Sequence, residues 1–159
     1  MPINERRAAL GLTTNAFLVG PFGRFTAWKG QHVALDAIAR VPDAHFVLVG
    51  DALFDETDYA QSLRAQARAP GIEERVHFAG FQHGVASWMN TMDVVEHAST
   101  QSKPLGLVIV KSMAAGKPVI ASNDGAAPAP KNRYRCDPRK SSLTGMPRQR
   151  PKQTQREIE

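Results

Sequence analysis

The chain of 159 residues contains one cysteine, Cys136. It can therefore form neither an internal disulfide framework nor a multi-cysteine metal site. No apolar run approaches the roughly 18 residues of a membrane span. Met1 to Arg7 is polar and lacks the apolar centre of a signal peptide. These absences predict a reducing, cytoplasmic setting. The first apolar run is not followed by Gly-x-Gly-x-x-Gly, which counts against a nicotinamide or flavin dehydrogenase. The Walker pattern is missing too: Gly116-Lys117 runs into Pro118, with no glycine loop upstream. There is no Gly-x-Ser-x-Gly elbow and no Ser-His-Asp order. The histidines at 32, 45, 77, 83 and 97 have no metal-ligand spacing, so no metal is expected.

What the chain does have is an excess of positive charge, +5 in total. That excess is unevenly placed. Residues 1–126 carry 11 Lys+Arg against 12 Asp+Glu, whereas residues 127–159 carry 9 against 3. Five of the 11 prolines also fall in 127–159. Such a segment buries too little apolar surface to offset its ordering entropy. The expected organisation is a compact domain over 1–126 and a disordered basic, proline-rich tail over 127–159. Tyr134 is the tail's one aromatic residue, so nucleic-acid binding by base stacking is disfavoured.

Within the compact part, short continuous apolar runs alternate with helical patterns. Strands are predicted at Ala16–Phe22, Ala44–Val49, Arg75–Ala79, Asp93–Ala98 and Val119–Ser122. Val33, Ala34, Ala37 and Ile38 share one face of a helix that Val41-Pro42 stops. Further helices are predicted from Asp58 to Ala69, Val85 to Met92 and Gly106 to Ala115. Continuous apolar strands alternating with helices imply a mostly parallel sheet covered on both faces. The expected fold class is α/β, an open doubly wound, Rossmann-like sheet. Ligands of such sheets bind outside the carboxyl ends of the strands.

Two of the loops at those ends carry suitable chemistry. The first places Gly23 beside Arg24 and Lys29. Glycine lets backbone approach an anion, arginine binds it bidentately, and lysine adds a point charge. That set suits a diphosphate. The other loop, from Ser99 to Leu105, leads into a helix whose first amides belong to Gly106, Leu107 and Val108. A helix N-terminus of this kind binds anions. Leu107, Val108, Val110 and Met113 are expected to pack in the core. His97 ends a strand beside this region and is the histidine best placed to touch a ligand.

Five motifs in order then become recognisable. They are Gly23-Arg24-Phe25 with Trp28-Lys29-Gly30-Gln31; Phe46-Val47-Leu48-Val49-Gly50; Val76-His77-Phe78-Ala79-Gly80-Phe81; Pro104-Leu105-Gly106-Leu107-Val108; and Met113 through Ala121. Together, over about residues 10–126, they resemble the C-terminal, donor-binding half of family-4 retaining glycosyltransferases of the GT-B fold. The resemblance implies a nucleotide diphosphate-sugar as donor substrate and no cofactor or metal. It assigns Arg24 and Lys29 to the donor diphosphate, and the backbone around Phe78–Phe81, including Gly80, to the nucleobase. It assigns the amides of Gly106, Leu107 and Val108 to the distal phosphate, and adds Gly23, Gly50 and Leu105 to the binding surface. A separate acceptor-binding domain is the partner it implies.

The sequence departs from this pattern in three places. The family signature Glu-x7-Glu is occupied by Lys103 and Lys111. The first position faces the sugar in the family, and the second accepts hydrogen bonds from the ribose. Lysine has donors and no acceptor. A hydrogen bond to a charged group contributes about 1.5–3 kcal/mol. Losing two corresponds to roughly 10²–10⁴-fold weaker binding or catalysis. Impaired or absent activity in this chain alone is therefore expected. Glu96 stands where the family has an apolar residue, and is expected to pair with Lys103 or Lys111 or to lie at an exposed strand end. Finally, the resemblance stops at Asn123-Asp124-Gly125-Ala126, which implies a sheet incomplete at its C-terminal end. The alternatives are a non-catalytic nucleotide- or phosphate-binding module that needs a partner chain, and nucleic-acid binding through the tail.

Overall fold

The computed structural model describes residues 2–53, 55–69, 71–101 and 106–122. Lys103, Leu105 and the segment 127–159 lie outside those residues. Among the described residues, five helices and five strands follow in order: α1 Ile3–Ala9, β1 Phe17–Pro21, α2 Gln31–Ile38, β2 Ala44–Val49, α3 Thr57–Arg68, β3 Val76–Gly80, α4 Val85–Thr91, β4 Val94–His97, α5 Leu107–Ala114 and β5 Val119–Ala121. Short 3-10 turns at Ala27–Lys29 and Glu73–Arg75 precede α2 and β3.

All strand pairings are parallel, and the order across the sheet is β3-β2-β1-β4-β5. Successive side chains of a strand point to opposite faces, so the inner strands feed two cores. Val19, Phe46, Leu48 and Val94 pack with Leu35, Ile38 and Leu63 on one face. Leu18, Val47, Val49 and Val95 pack with Trp88, Met89 and Met92 on the other. The Rossmann-like sheet expected from the apolar runs is therefore present, with the strands at the expected places. Helices cover both faces, and none among the described residues is long and apolar enough to cross a membrane.

The strand order reverses between β1 and β4. From β1 the chain steps outward to β2 and β3, then returns to the other side of β1. Pro21 ends β1 in register with Glu96 of β4, and Phe22 bridges to Val49 beyond the regular ladder. A crevice opens at such a switch point, because the crossovers on its two sides leave in opposite directions.

Two features depart from the sequence expectations. The first is α1, which no local signal announces: it starts at Pro2 without a side-chain cap. Seven residues do not make a stable helix alone. Tertiary bonds hold it. The buried Arg7 guanidinium donates to the carbonyls of Thr14 (2.9 Å), Ala16 (2.7 Å) and Thr91 (3.2 Å) and to Asp93 Oδ2 (3.2 Å).

The second departure is the orientation of α5. Leu107, Val110 and Met113 are exposed, not packed in the core, and only Val108 of the expected set packs against the sheet. Val108, Ser112 and Ala115 form the inward stripe. Ser112 is fully buried, donates to the Val108 carbonyl at 2.7 Å and lies 3.8 Å from Met89 Sδ. The helix is apolar around most of its circumference, so hydrophobicity could not single out a face. The small side chain of Ser112 lets the helix sit close, and that closeness sets the rotation.

Candidate functional site

The loop after β1 is built by backbone. Gly23 N–H donates to Val49 O (3.0 Å), and Phe25 N–H donates to Asp51 O (2.9 Å). Gly50 N–H donates to Gly80 O at 2.9 Å. The loops after β1, β2 and β3 are thereby tied into one rim. Gly23 and Gly50 have φ of 130° and 149°, backbone that favours glycine. A Cβ on Gly50 would be driven into the Gly23 carbonyl. The crossing requires glycine at position 50, and the backbone conformation favours it at position 23.

The cations follow. Arg24 Nε lies 3.2 Å from Glu56 Oε2, an ion pair at too poor an angle for a hydrogen bond. The Arg24 carbonyl accepts from Gln31 Nε2 at 2.9 Å. Lys29 ends the Ala27–Lys29 turn, and its Nζ sits 4.6 Å from the centre of the Trp28 ring. A methyl group on Gly23 would lie 3.9 Å from that Nζ, so Lys29 reaches back over the glycine. The turn is latched to the loop after β4. The Trp28 carbonyl accepts from Thr100 N (2.9 Å), Ser99 Oγ (3.2 Å) and Thr100 Oγ1 (3.3 Å). Gly30, in left-handed backbone at φ 73°, leaves no room for a side chain against the Ala98 carbonyl.

The second half of the rim is the start of α5. Gly106 supplies no side-chain cap, and the first-turn amides have no intrahelical partner. Lys111 lies one turn further on and is exposed. Between these parts lies a cleft of about 210 Å³, lined by Phe22, Gly23, Arg24, Val49, Gly50, Asp51, Leu53, Phe81, Gln82, Val85, Met89, Leu107, Val108 and Lys111. Six of the residues singled out from the sequence line it together: Gly23, Arg24, Gly50, Leu107, Val108 and Lys111. Lys29 stands at its edge over Gly23. Gly106 precedes the helix, and Gly80 supports Gly50 from below. The Phe78 ring points elsewhere, edge-on to Phe25 and 4.1 Å under the Arg64 guanidinium.

A larger cleft of about 330 Å³ runs beside β3, lined by Arg64, Arg68, Glu73, His77 and Phe78 among others. It contains no strand-end glycine and no helix N-terminus. The smaller cleft sits at the switch point and is lined by Arg24, Lys111 and the first turn of α5.

Two acid–base groups flank the rim. Glu96 is buried, and its Oε2 has no hydrogen bond among the described residues. Burial pushes its carboxyl up to about 8. The expected pairing with Lys111 does not occur and the strand end is not exposed; Lys103 lies outside the described residues. The cause is the pleat: Glu96 follows Val95 and faces inward, toward the side where Tyr59 lies. His97 is held below its ordinary value by burial and by the Lys29 charge beside it. It is therefore a neutral ring next to a cation.

Sequence reasoning missed the supports: Glu56, Gln31, Tyr59, Ser99 and Thr100. Their partners lie as far as 72 residues away, and no local pattern marks them.

The family described as "Glycosyl transferases group 1" matches residues 16–142. The chain belongs to this family. The match runs past residue 126 into the segment read above as the tail. A relative, the lipopolysaccharide core biosynthesis glycosyltransferase LpsE of Rhizobium meliloti, is 36% identical over 116 residues, covering 73% of this chain and 32% of LpsE. The crystal structure of HepE from Anabaena in complex with UDP and glucose superposes with a TM-score of 0.74 at 45% identity, covering 79% of this chain and 34% of HepE. The C-terminal domain of the group 1 protein LpcC from Francisella tularensis gives 0.63 at 30% identity, covering 71% of this chain and 61% of that domain. This chain spans about a third of the length of the curated relatives it matches.

Proposed function

We propose that the chain is the donor half of a retaining glycosyltransferase. It binds a nucleotide diphosphate-sugar in the cleft between the loops after β1 and β4. The observation that carries this reading is the cleft itself, where Arg24, Lys29 over Gly23 and the uncapped start of α5 converge on one opening. Cations beside a helix N-terminus suit the charge that builds on a departing diphosphate. HepE, solved with UDP-glucose, supports the choice of ligand class. In front-face transfer, the bond from the anomeric carbon to the diphosphate oxygen breaks. The acceptor oxygen bonds on the same face, and its proton passes to the departing phosphate oxygen. An acceptor-binding domain is the partner that turnover requires.

Lys111 and Lys103 remove two acceptors from this scheme, so the chain binds its donor weakly and turns over slowly or not at all. The test is calorimetric titration with UDP-, GDP- and ADP-sugars, of the parent and of the Lys103→Glu/Lys111→Glu variant. The variant should bind more tightly. No binding of any nucleotide sugar by either protein would end the donor reading. Equal affinities would take the lysines out of the site.

A further inference from the structure

Gln31 is the first residue of α2 and is 2% exposed. Burying a primary amide is costly unless its hydrogen bonds are made. Gln31 makes them in two directions. Its Nε2 donates to the Arg24 carbonyl at 2.9 Å, and its Oε1 lies 3.3 Å from the Tyr59 hydroxyl on α3. That hydroxyl accepts the His32 amide at 3.3 Å and stands 2.9 Å from His32 Nδ1. Glu56, beside the start of α3, holds the Arg24 guanidinium. Arg24 is thus gripped twice from one helix end, by its side chain through Glu56 and by its backbone through Tyr59 and Gln31.

We propose that Gln31 is a positioning residue that fixes Arg24 for the donor diphosphate. The inference rests on the donor reading above. An aliphatic side chain of equal length would fill the same space and leave the Arg24 carbonyl without a buried donor. The loop would then sample other orientations, and the guanidinium would meet the diphosphate in only a fraction of them. An affinity measured for a partly populated competent state falls by that fraction.

The experiment is a double-mutant cycle on the full chain. Calorimetry measures the affinity of the tightest-binding of UDP, GDP and ADP. Gln31→Met should weaken binding about tenfold, the scale of one lost hydrogen bond. Arg24→Gln should weaken it about 10–100-fold in the parent, and less than about threefold once Gln31 is methionine. Two residues acting through one another give that non-additivity. Tyr59→Phe, which keeps the ring, should show the same coupling to Arg24→Gln at a smaller amplitude, and it serves if Gln31→Met does not fold. Additive losses would assign Gln31 a packing role only and overturn the proposal while leaving the donor reading intact. If the parent binds none of the three nucleotides, the donor reading fails and the proposal fails with it.

Discussion

The guanidinium of Arg7 and the carboxylate of Asp93 meet at 3.2 Å across 86 residues of sequence. The same Asp93 oxygen accepts the Leu18 amide at 2.8 Å, at the start of the central strand. One carboxylate therefore joins α1, β1 and the turn into β4. Arg7→Met should cost about 2–3 kcal/mol, since three carbonyls and a carboxylate lose a charged donor. At this chain length, that lowers the melting temperature by roughly 5–10 °C. Scanning calorimetry reads it, and an unchanged midpoint would mean that α1 is dispensable for stability.

Gly50→Ala should be far more damaging than Gly11→Ala. Both positions have positive φ, at 149° and 70°. A Cβ at Gly11 meets open space, whereas one at Gly50 meets the Gly23 carbonyl. The first should cost about 1 kcal/mol of strain alone. The second should cost several times more and displace the loop after β1. Urea unfolding of both variants gives the comparison, and similar midpoints would contradict the crossing of the two loops.

Arg24→Gln and Lys29→Gln should each weaken nucleoside diphosphate binding about 10–100-fold, as expected for a lost charge-assisted hydrogen bond. Neither should alter affinity for the matching nucleoside, which lacks the diphosphate. A parallel loss for nucleoside and diphosphate would place these residues away from the phosphates.

Glu96 makes a prediction about pH. Its folded value is near 8 against an ordinary 4.5. The native state therefore holds a proton that the unfolded chain releases between those values, and folding stability falls as pH rises through that window. Below about 4.5 both states are protonated, and above 8 both are charged, so the slope vanishes at each end. His45, His77 and His97 are shifted down and act oppositely below pH 6.5. They are common to parent and variant. Glu96→Gln should thus gain stability over the parent by up to ~1.4 kcal/mol per pH unit between 5 and 8. A constant difference across that range would show that Glu96 does not titrate there.

The sheet was legible because its strands are short, apolar and continuous: Phe46-Val47-Leu48-Val49 has no other reading when a glycine ends it. The glycines and cations of the first loop were legible for a similar reason, since their chemistry is carried by residues close together. The facing of α5 was not, because Leu107, Val110 and Met113 look as apolar as Val108, and only Val108 packs against the core. Nor was the double grip on Arg24. A glutamine at a helix start gives no sign that it will be buried, and its partners, Arg24 and Tyr59, lie 7 and 28 residues away on different elements.

The reversal of strand order has a consequence for how the molecule comes into being. β1, β2 and β3 are neighbours both in sequence and in space, so they can assemble while the later part of the chain is still being made. β4 must return past them to the far side of β1, and loop closure makes such a contact late. The cleft lies on that last seam. Half of its rim is in place early, and the rest arrives only with the chain beyond Asp93. A nucleotide that fills the cleft would bridge that seam, and should therefore slow unfolding.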